Sequence, residues 1–308
     1  MIANQLLPAP RRADGSARIA RCGRRTVHPT GLPPRKALHF PNGRVTGPCF
    51  RPRKVAYLEG MTPQPDTADT PRPDRPVFAV GDLHGRSDLL DRALDRIAKE
   101  LATLGHNDAS IVFLGDYIDR GEDSRGVLEM LMEVDRTMPD VATCLMGNHE
   151  KMMIDFLDEP ETRGSRFLSF GGLQTLASFG IGGLSDRARP EQMAKAAEAL
   201  KDAMPDGMEA WLRALPLWWQ SGDVVCVHAA MDPSIPPALQ ERREMLWGHP
   251  LFHRFARPDG LWVVHGHEVV DAPGVDDRRV ATDTGAYFSN RLTTAAILPG
   301  AEIRFFTA

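Results

Sequence analysis

Three short phrases gather side chains that can bind cations and phosphate: Gly81-Asp82-Leu83-His84-Gly85, Gly115-Asp116-Tyr117-Ile118-Asp119-Arg120-Gly121 and Gly147-Asn148-His149-Glu150. Two later phrases, Val227-His228-Ala229-Ala230 and Val264-His265-Gly266-His267-Glu268, add imidazoles. Asp82 and His84 stand two apart at the end of an extended run, so both face the same way and can grip one ion. Asp116 is suited to bridge, because two carboxylate oxygens reach two cations roughly 3.5–4 Å apart. Arg120 offers a planar fork to two phosphate oxygens. Asn148 adds a neutral amide oxygen. His149, facing away from the metals, is a candidate general acid toward the leaving group, with Asp119 as the group that orients it. His228, His265 and His267 are further candidate ligands, and imidazole with carboxylate suits manganese, iron or zinc better than calcium. Together these residues supply ligands for two metal ions sharing one carboxylate, plus an acid and an arginine for a phosphate ester.

Each phrase follows an apolar run that must position it. Pro76–Val80 reads as a strand and leads to an amphipathic helix over about Ser87–Leu104, with Leu90, Leu94, Ile97 and Leu101 on one face. Ile111–Leu114 and a helix around Ser124–Met138 repeat the pattern. Val141–Met146 then precedes a helix expected to begin near Glu150. Strand, loop and helix in succession specify a largely parallel sheet, whose functional residues collect beyond the carboxyl ends of its strands. The stretch 151–215 reads as a helical insertion, including Pro190–Met204 and Met208–Leu215. From Leu217 onward the runs Leu217–Gln220, Val224–Val227, Trp262–Val264, Val280–Thr282, Thr293–Leu298 and Glu302–Phe306 are expected to form a second sheet packed on the first.

Of 308 residues, 42 % are hydrophobic and 25 % charged, as in an ordinary globular protein. Charge is unevenly spread. Residues 1–60 carry twelve Lys and Arg against Asp14 and Glu59, which leaves the remainder at −14 in a chain of net −4. The acidic remainder argues against stable nucleic-acid binding by the catalytic part. Residues 1–75 are rich in Pro, Arg, Gly and Thr and lack periodicity, so a disordered basic arm is expected there, with Met61 as an alternative start and residues 76–308 as the catalytic domain. Cys22, Cys49, Cys144 and Cys226 show no paired spacing, which points to a reducing, cytoplasmic setting. No stretch approaches the ~20 apolar residues of a membrane span.

Taken in order, Asp-x-His, Gly-Asp-Tyr-x-Asp-Arg-Gly, Gly-Asn-His-Glu, Val-His-Ala and His-Gly-His resemble the calcineurin-like metallophosphoesterase superfamily. The Asp-Arg-Gly ending of the second phrase and the Glu of the third resemble its protein serine/threonine phosphatase branch, close to the bacterial and phage lambda-type phosphatases and the bis(5'-nucleosyl)-tetraphosphatases. The resemblance spans about 76–308. It implies an α/β fold, a four-layer α/β/β/α sandwich with a two-metal centre between the sheets. Asp82, His84 and Asp116 would hold the first metal; Asp116, Asn148, His228 and His267 the second, with His265 the alternative to His267. Arg120, Asn148 and His149 would meet the substrate phosphate, and Asp119 would support His149. The metals expected are two divalent ions, Mn2+ first, with iron or zinc as alternatives. The substrate expected is a phosphorylated protein, or else a small phosphorylated molecule or dinucleoside polyphosphate. Two departures stand out. Ala230 replaces the branch's Gly after Val-His-Ala, and Gly248-His249 follows Leu246-Trp247 where the branch carries a second phosphate arginine. His249 is the candidate substitute, with Arg242, Arg243 or Arg254 as other sources of positive charge.

Overall fold

The computed structural model describes residues 69–105 and 108–308. The disordered arm and the start at Met61 expected from sequence fall on residues outside these, up to residue 68. Residues 69–75, assigned to that arm, are tied to the domain by polar contacts. Arg75 donates to Ser110 Oγ at 2.7 Å and to the Asp140 carbonyl at 2.7 Å, and Gly300 N donates to the Pro71 carbonyl at 2.8 Å. A boundary drawn at the first apolar run could not register such anchors.

Ten strands form two five-stranded sheets among the described residues. The first has the order β10-β9-β1-β2-β3, with β1 Val77–Val80, β2 Ser110–Phe113 and β3 Ala142–Cys144 parallel, and β9 Thr293–Ile297 and β10 Arg304–Thr307 antiparallel to their neighbours. The second has the order β4-β5-β6-β8-β7, from Trp218–Ser221, Val224–Val227, Trp262–His265, Arg279–Ala281 and Gly274–Asp276 respectively. The last two β runs therefore do not extend the second sheet, as their position in the sequence suggests. β9 folds back onto β1, where Val77 pairs with Ile297 and Val80 with Thr294, and β10 pairs with β9 at the edge.

Strand alternation divides the apolar residues into separate cores. Val77, Ala79, Val112, Leu114, Ala295 and Ile297 of the first sheet meet Val224, Cys226, Trp262, Val264 and Val280 of the second. On the first sheet's other face, Phe78, Val80, Ile111 and Phe113 pack against helices α1 Ser87–Leu104 and α2 Ser124–Thr137, through Leu90, Leu94, Ile97, Leu128 and Leu131. On the outer face of the second sheet, Val225, Val227 and Val263 are covered by Met231, Met245 and Phe252. The order is helix, sheet, sheet, helix, as expected, but the last layer is thin.

The insertion is helical: α3 Asn148–Asp158, α4 Pro160–Phe167, α5 Leu173–Ser178, α6 Pro190–Ala203 and α7 Met208–Ala214, with a π-turn over Leu168–Gly172. Its helix α4 packs on α3 and α6. Beyond it lie the short α8 Arg242–Trp247, which belongs to the thin outer layer, and α9 Ala286–Ser289. Neither α8 nor β7 is legible as a periodic run. No helix of the described residues is long and apolar enough to cross a membrane.

Candidate metal centre

The loops after β1, β2, β3, β5 and β6 meet at one edge of the paired sheets, and His228 joins the two sheets there. Its Nδ1–H donates to the Leu114 carbonyl at 2.9 Å. His84 is held in the same way by the Ile118 carbonyl at 2.8 Å. A carbonyl only accepts, so each ring carries its proton on Nδ1 and turns a bare Nε2 lone pair inward. Burial keeps both rings neutral, pushing His84 down to about 3 and His228 to about 4.

These lone pairs face other acceptors, and that of His84 also faces the Arg120 Nη1 donor at 3.0 Å. His228 Nε2 lies 2.9 Å from Asn148 Oδ1 and 3.4 Å from Asp116 Oδ1, and His84 Nε2 lies 3.7 Å from Asp116 Oδ2. His267 Nδ1 approaches the same Asn148 oxygen at 2.9 Å. Lone pairs converging on one another in a buried space are stabilised by a cation, so this donor set fits metal ions. Two groups of donors lie close enough to hold one ion each: His84, Asp116 and His149, and Asp116, His228 and His267. Asp116 is common to both.

The carboxylates carry the same message. Burial, together with the charges of Asp283 and Asp116, pushes Asp82 well above the usual carboxylate range. Asp283, also buried, is pushed up to about 6. Burial alone would raise Asp116 too, but the imidazoles of His228, His149 and His84 outweigh it and hold it low.

Backbone shape follows the ligands. His84, Asp116, Asp119, Arg120 and His267 all adopt positive φ, between 44° and 70°. That region is uncommon for side-chain-bearing residues, and such conformations cost of order 1–3 kcal/mol each. Five in one small region mark a site whose geometry is imposed by its surroundings. Gly266 is required by close approach: a Cβ there would collide with Asp82 Oδ1. The same carboxylate accepts the His267 N–H at 3.1 Å, so Asp82 is locked to the loop that carries His267.

Asn148 and His149 are the opening residues of α3 rather than loop residues, since the helix starts two positions before Glu150. The His149 N–H donates to Asp116 Oδ1 at 3.0 Å, so a helix N-terminus fixes the shared carboxylate. His149 Nδ1 lies 2.6 Å from Asp119 Oδ2, and its Nε2 lies 3.2 Å from Arg120 Nη2. Arg120 Nη1 reaches His84 Nε2 at 3.0 Å, and the guanidinium rests over the Tyr287 ring at 5.1 Å. Burial pulls His149 down, but Asp116 and Asp119 outweigh it and raise its pKa.

Every residue expected in the centre is brought to it except two. His265 ends β6 with its ring against Phe252 at 5.1 Å, and its Nδ1 meets the Gly266 carbonyl. His249 lies 3.7 Å from the carboxylates of Asp232 and Glu244, which hold it in the outer layer. Asp82 reaches the centre but lies outside both compact donor groups, whereas His149, expected to face away from the metals, lies inside the first, its Nε2 3.8 Å from Asp116 Oδ2.

Sequence reasoning missed the supports. Glu150, quoted in the third phrase without a role, is fully buried and accepts the N–H groups of Asp116, Tyr117 and Gly147 at 2.9, 2.8 and 2.9 Å. The reach of Glu150 back to the Gly147 N–H is the N3-to-N-cap contact of a helix start, the one signal in the sequence for it. Thr175 donates to Asp119 Oδ1 at 2.6 Å from 56 residues away. Asp283 and Tyr287 carry no motif.

Comparison with known proteins settles the lineage of this centre. The profile described as calcineurin-like phosphoesterase matches residues 75–271. The chain belongs to the calcineurin-like phosphoesterase family. Among curated relatives, it is 24 % identical over 235 residues to an asymmetrical bis(5'-nucleosyl)-tetraphosphatase of Oceanobacillus iheyensis, covering 70 % of this chain and 86 % of that protein. It is 32 % identical over 134 residues to the serine/threonine-protein phosphatase ppe1 of Schizosaccharomyces pombe, covering 42 % of this chain and 39 % of that protein. Among solved structures, one assigned as a diadenosine tetraphosphatase superposes with a TM-score of 0.51 at 19 % identity, over 76 % of this chain and 94 % of that one, which shows the shared fold. As a calcineurin-like phosphoesterase, the chain is a metal-dependent hydrolase of phosphate ester or anhydride bonds.

Proposed function

We propose that the chain hydrolyses phosphate monoesters of the phosphoprotein serine/threonine type, with Asp82, His84 and Asp116 holding one divalent cation and Asp116, Asn148, His228 and His267 the other. Manganese is the favoured ion, with iron or zinc as alternatives, because the donors mix imidazole with hard oxygens. When bound, such cations supply water activation and charge neutralisation at the phosphoryl oxygens. The chain's own residues do the rest. Arg120, its guanidinium between His84 and His149, binds the phosphate oxygens and balances charge as the bond breaks. Once phosphate draws the Arg120 N–H away from Nε2, His149 carries a proton there and gives it to the departing oxygen, while Asp119 holds the ring and stabilises its charged form. The observation that carries this assignment is the chain of contacts from Asp119 through His149 to Arg120, set beside two donor groups that share Asp116.

A second reading, hydrolysis of dinucleoside polyphosphates, draws support from the Oceanobacillus relative, named as a bis(5'-nucleosyl)-tetraphosphatase. A cytoplasmic setting is in keeping with the two buried free thiols, Cys144 and Cys226. The test is to strip the metals, restore manganese and compare an aryl phosphate, a phosphopeptide and diadenosine tetraphosphate. Preference for the phosphopeptide is expected. Strong preference for diadenosine tetraphosphate transfers the assignment to the second reading, and no turnover with any of the three overturns both.

A further inference from the structure

Beside the metal centre lies a cavity of about 320 Å³ whose lining includes Lys151, Arg163, Arg166, Arg242, Arg243 and Trp247. Two of these cations are neutralised locally, Lys151 by Asp155 and Arg163 by Glu159 at 3.4 Å. Arg166, Arg242 and Arg243 face no carboxylate within ion-pair distance among the described residues. Elsewhere on the domain Arg86, Arg92, Arg96, Arg125, Arg136 and Arg213 each do, and the arginines that do not, such as Arg72, Arg187 and Arg291, line no shared cavity with one another among the described residues. Three unpaired guanidinium groups around one concavity, on a domain that is acidic overall, repel one another unless an anion joins them.

The cavity is wired to the centre through aromatic rings. The Arg166 guanidinium lies 4.4 Å from the Trp247 ring and 5.8 Å from that of Phe170. Trp247 in turn meets His267 at 6.5 Å, and Phe170 meets His149 at 6.4 Å. Arg166 is thus braced between the aromatic neighbours of one candidate ligand and of the candidate acid. Arg242 Nη2 points to Met146 Sδ at 2.8 Å, in the loop that leads to Asn148.

We propose that this cavity is a second anion subsite, which receives a phosphate group of the substrate other than the one being hydrolysed. The inference rests on the metal centre as read above. It names a substrate class: molecules carrying at least two phosphoryl groups within reach of each other, whether along an oligophosphate chain or on neighbouring residues of a peptide. Planar guanidinium forks suit phosphate oxygens, and bracing on rings lowers the entropy lost when they engage.

The experiment uses the full chain loaded with manganese, wild type and the Arg242→Gln/Arg243→Gln double variant. Inhibition of aryl phosphate turnover is measured with inorganic tripolyphosphate and with orthophosphate. The expected result is a tenfold or greater rise in the tripolyphosphate inhibition constant in the double variant, with less than threefold change for orthophosphate. Calorimetric binding of tripolyphosphate should weaken by the same factor, and this reading needs no turnover. Charge reversal with Arg166→Glu should weaken it further. Parallel kcat/KM measurements on diadenosine tetraphosphate and on singly and doubly phosphorylated peptides show which source the subsite serves. Equal weakening of orthophosphate and tripolyphosphate, or no change in either, overturns the subsite. Absence of wild-type aryl phosphate turnover, with tripolyphosphate binding still sensitive to the arginines, counts instead against the catalytic assignment.

Discussion

The Nδ1 atom of His149 and the Oδ2 atom of Asp119 lie 2.6 Å apart, and both side chains are buried. Asp119 is itself fixed at its other oxygen by Thr175 Oγ1 at 2.6 Å, and its N–H donates to the same hydroxyl at 2.9 Å. The pair leaves the other ring nitrogen turned toward Arg120, where a substrate oxygen would lie. A carboxylate so placed keeps the ring oriented and favours its charged form.

Removing the acid should separate chemistry from metal binding. His149→Asn is expected to lower kcat by about 10²–10⁴-fold, the range for a lost general acid, while the metal content stays at the wild-type level. Asp119→Asn should fall between wild type and that variant, and Thr175→Val should cost less again. Single-turnover kinetics with an aryl phosphate, alongside metal analysis of the same samples, checks the ranking. An ordinary rate for His149→Asn would remove its role.

Glu150 should prove the most sensitive position that is not a candidate ligand. Glu150→Ala leaves the N–H groups of Asp116, Tyr117 and Gly147 buried without an acceptor. Each such loss costs about 1–3 kcal/mol, so a destabilisation of about 3 kcal/mol or more is expected. Urea unfolding of the variant measures it. A change under about 1 kcal/mol would mean that water takes over these donors.

Gly266→Ala places a Cβ against Asp82 Oδ1. Overpacking of this kind typically costs about 1–3 kcal/mol. Here it should also loosen Asp82 from the His267 loop and lower metal occupancy. Thermal unfolding with and without manganese is the check: the variant is expected to gain less stability from the ion than the wild type does.

The outer layer should show its own pH dependence through Asp259. Arg257, almost fully buried, donates to the carbonyls of Asp232 and Ile235 at 2.9 Å and pairs with Asp259 Oδ2 at 2.5 Å. Burial raises the Asp259 carboxyl, but the hydrogen bonds from Arg257 and the Leu261 N–H outweigh it and lower its pKa. A lowered carboxylate pKa contributes stability above the unfolded value near 4, and that contribution is lost as pH falls through the folded value. Asp259 is more than a third exposed, so solvent screening limits the pair to about 1 kcal/mol or less. The gap between wild type and Asp259→Asn should therefore be present at pH 7 and narrow progressively as the pH falls below about 4 in chemical denaturation.

The ligand loops were legible because each is a local pattern, an apolar run followed by metal- and phosphate-binding side chains. Their side chains gather around Asp116, although His149 stands in the first compact donor group where Asp82 was expected. What convergence in space alone decides was not legible. Thr175 is 56 residues from Asp119, and Gly266 needs its bare Cα because of Asp82, far away in the sequence. Periodicity marks β9 and β10 as strands but cannot say which sheet they join, since that depends on β1 offering a free edge. His265 and His267 share a phrase and the same residue type. Only the end of β6 separates them, leaving one in the strand and turning the other, at φ 66°, toward Asn148.

The sharing of Asp116 between two cations is tested most directly by titrating metal-stripped protein with Mn2+ and counting bound ions by mass spectrometry while following aryl phosphate turnover. Two ions per chain are expected, with turnover rising as the second is taken up, and Asp116→Asn should lose high-affinity binding of both. A single ion at full activity, or turnover unchanged after the metals are removed, would contradict the two-metal centre.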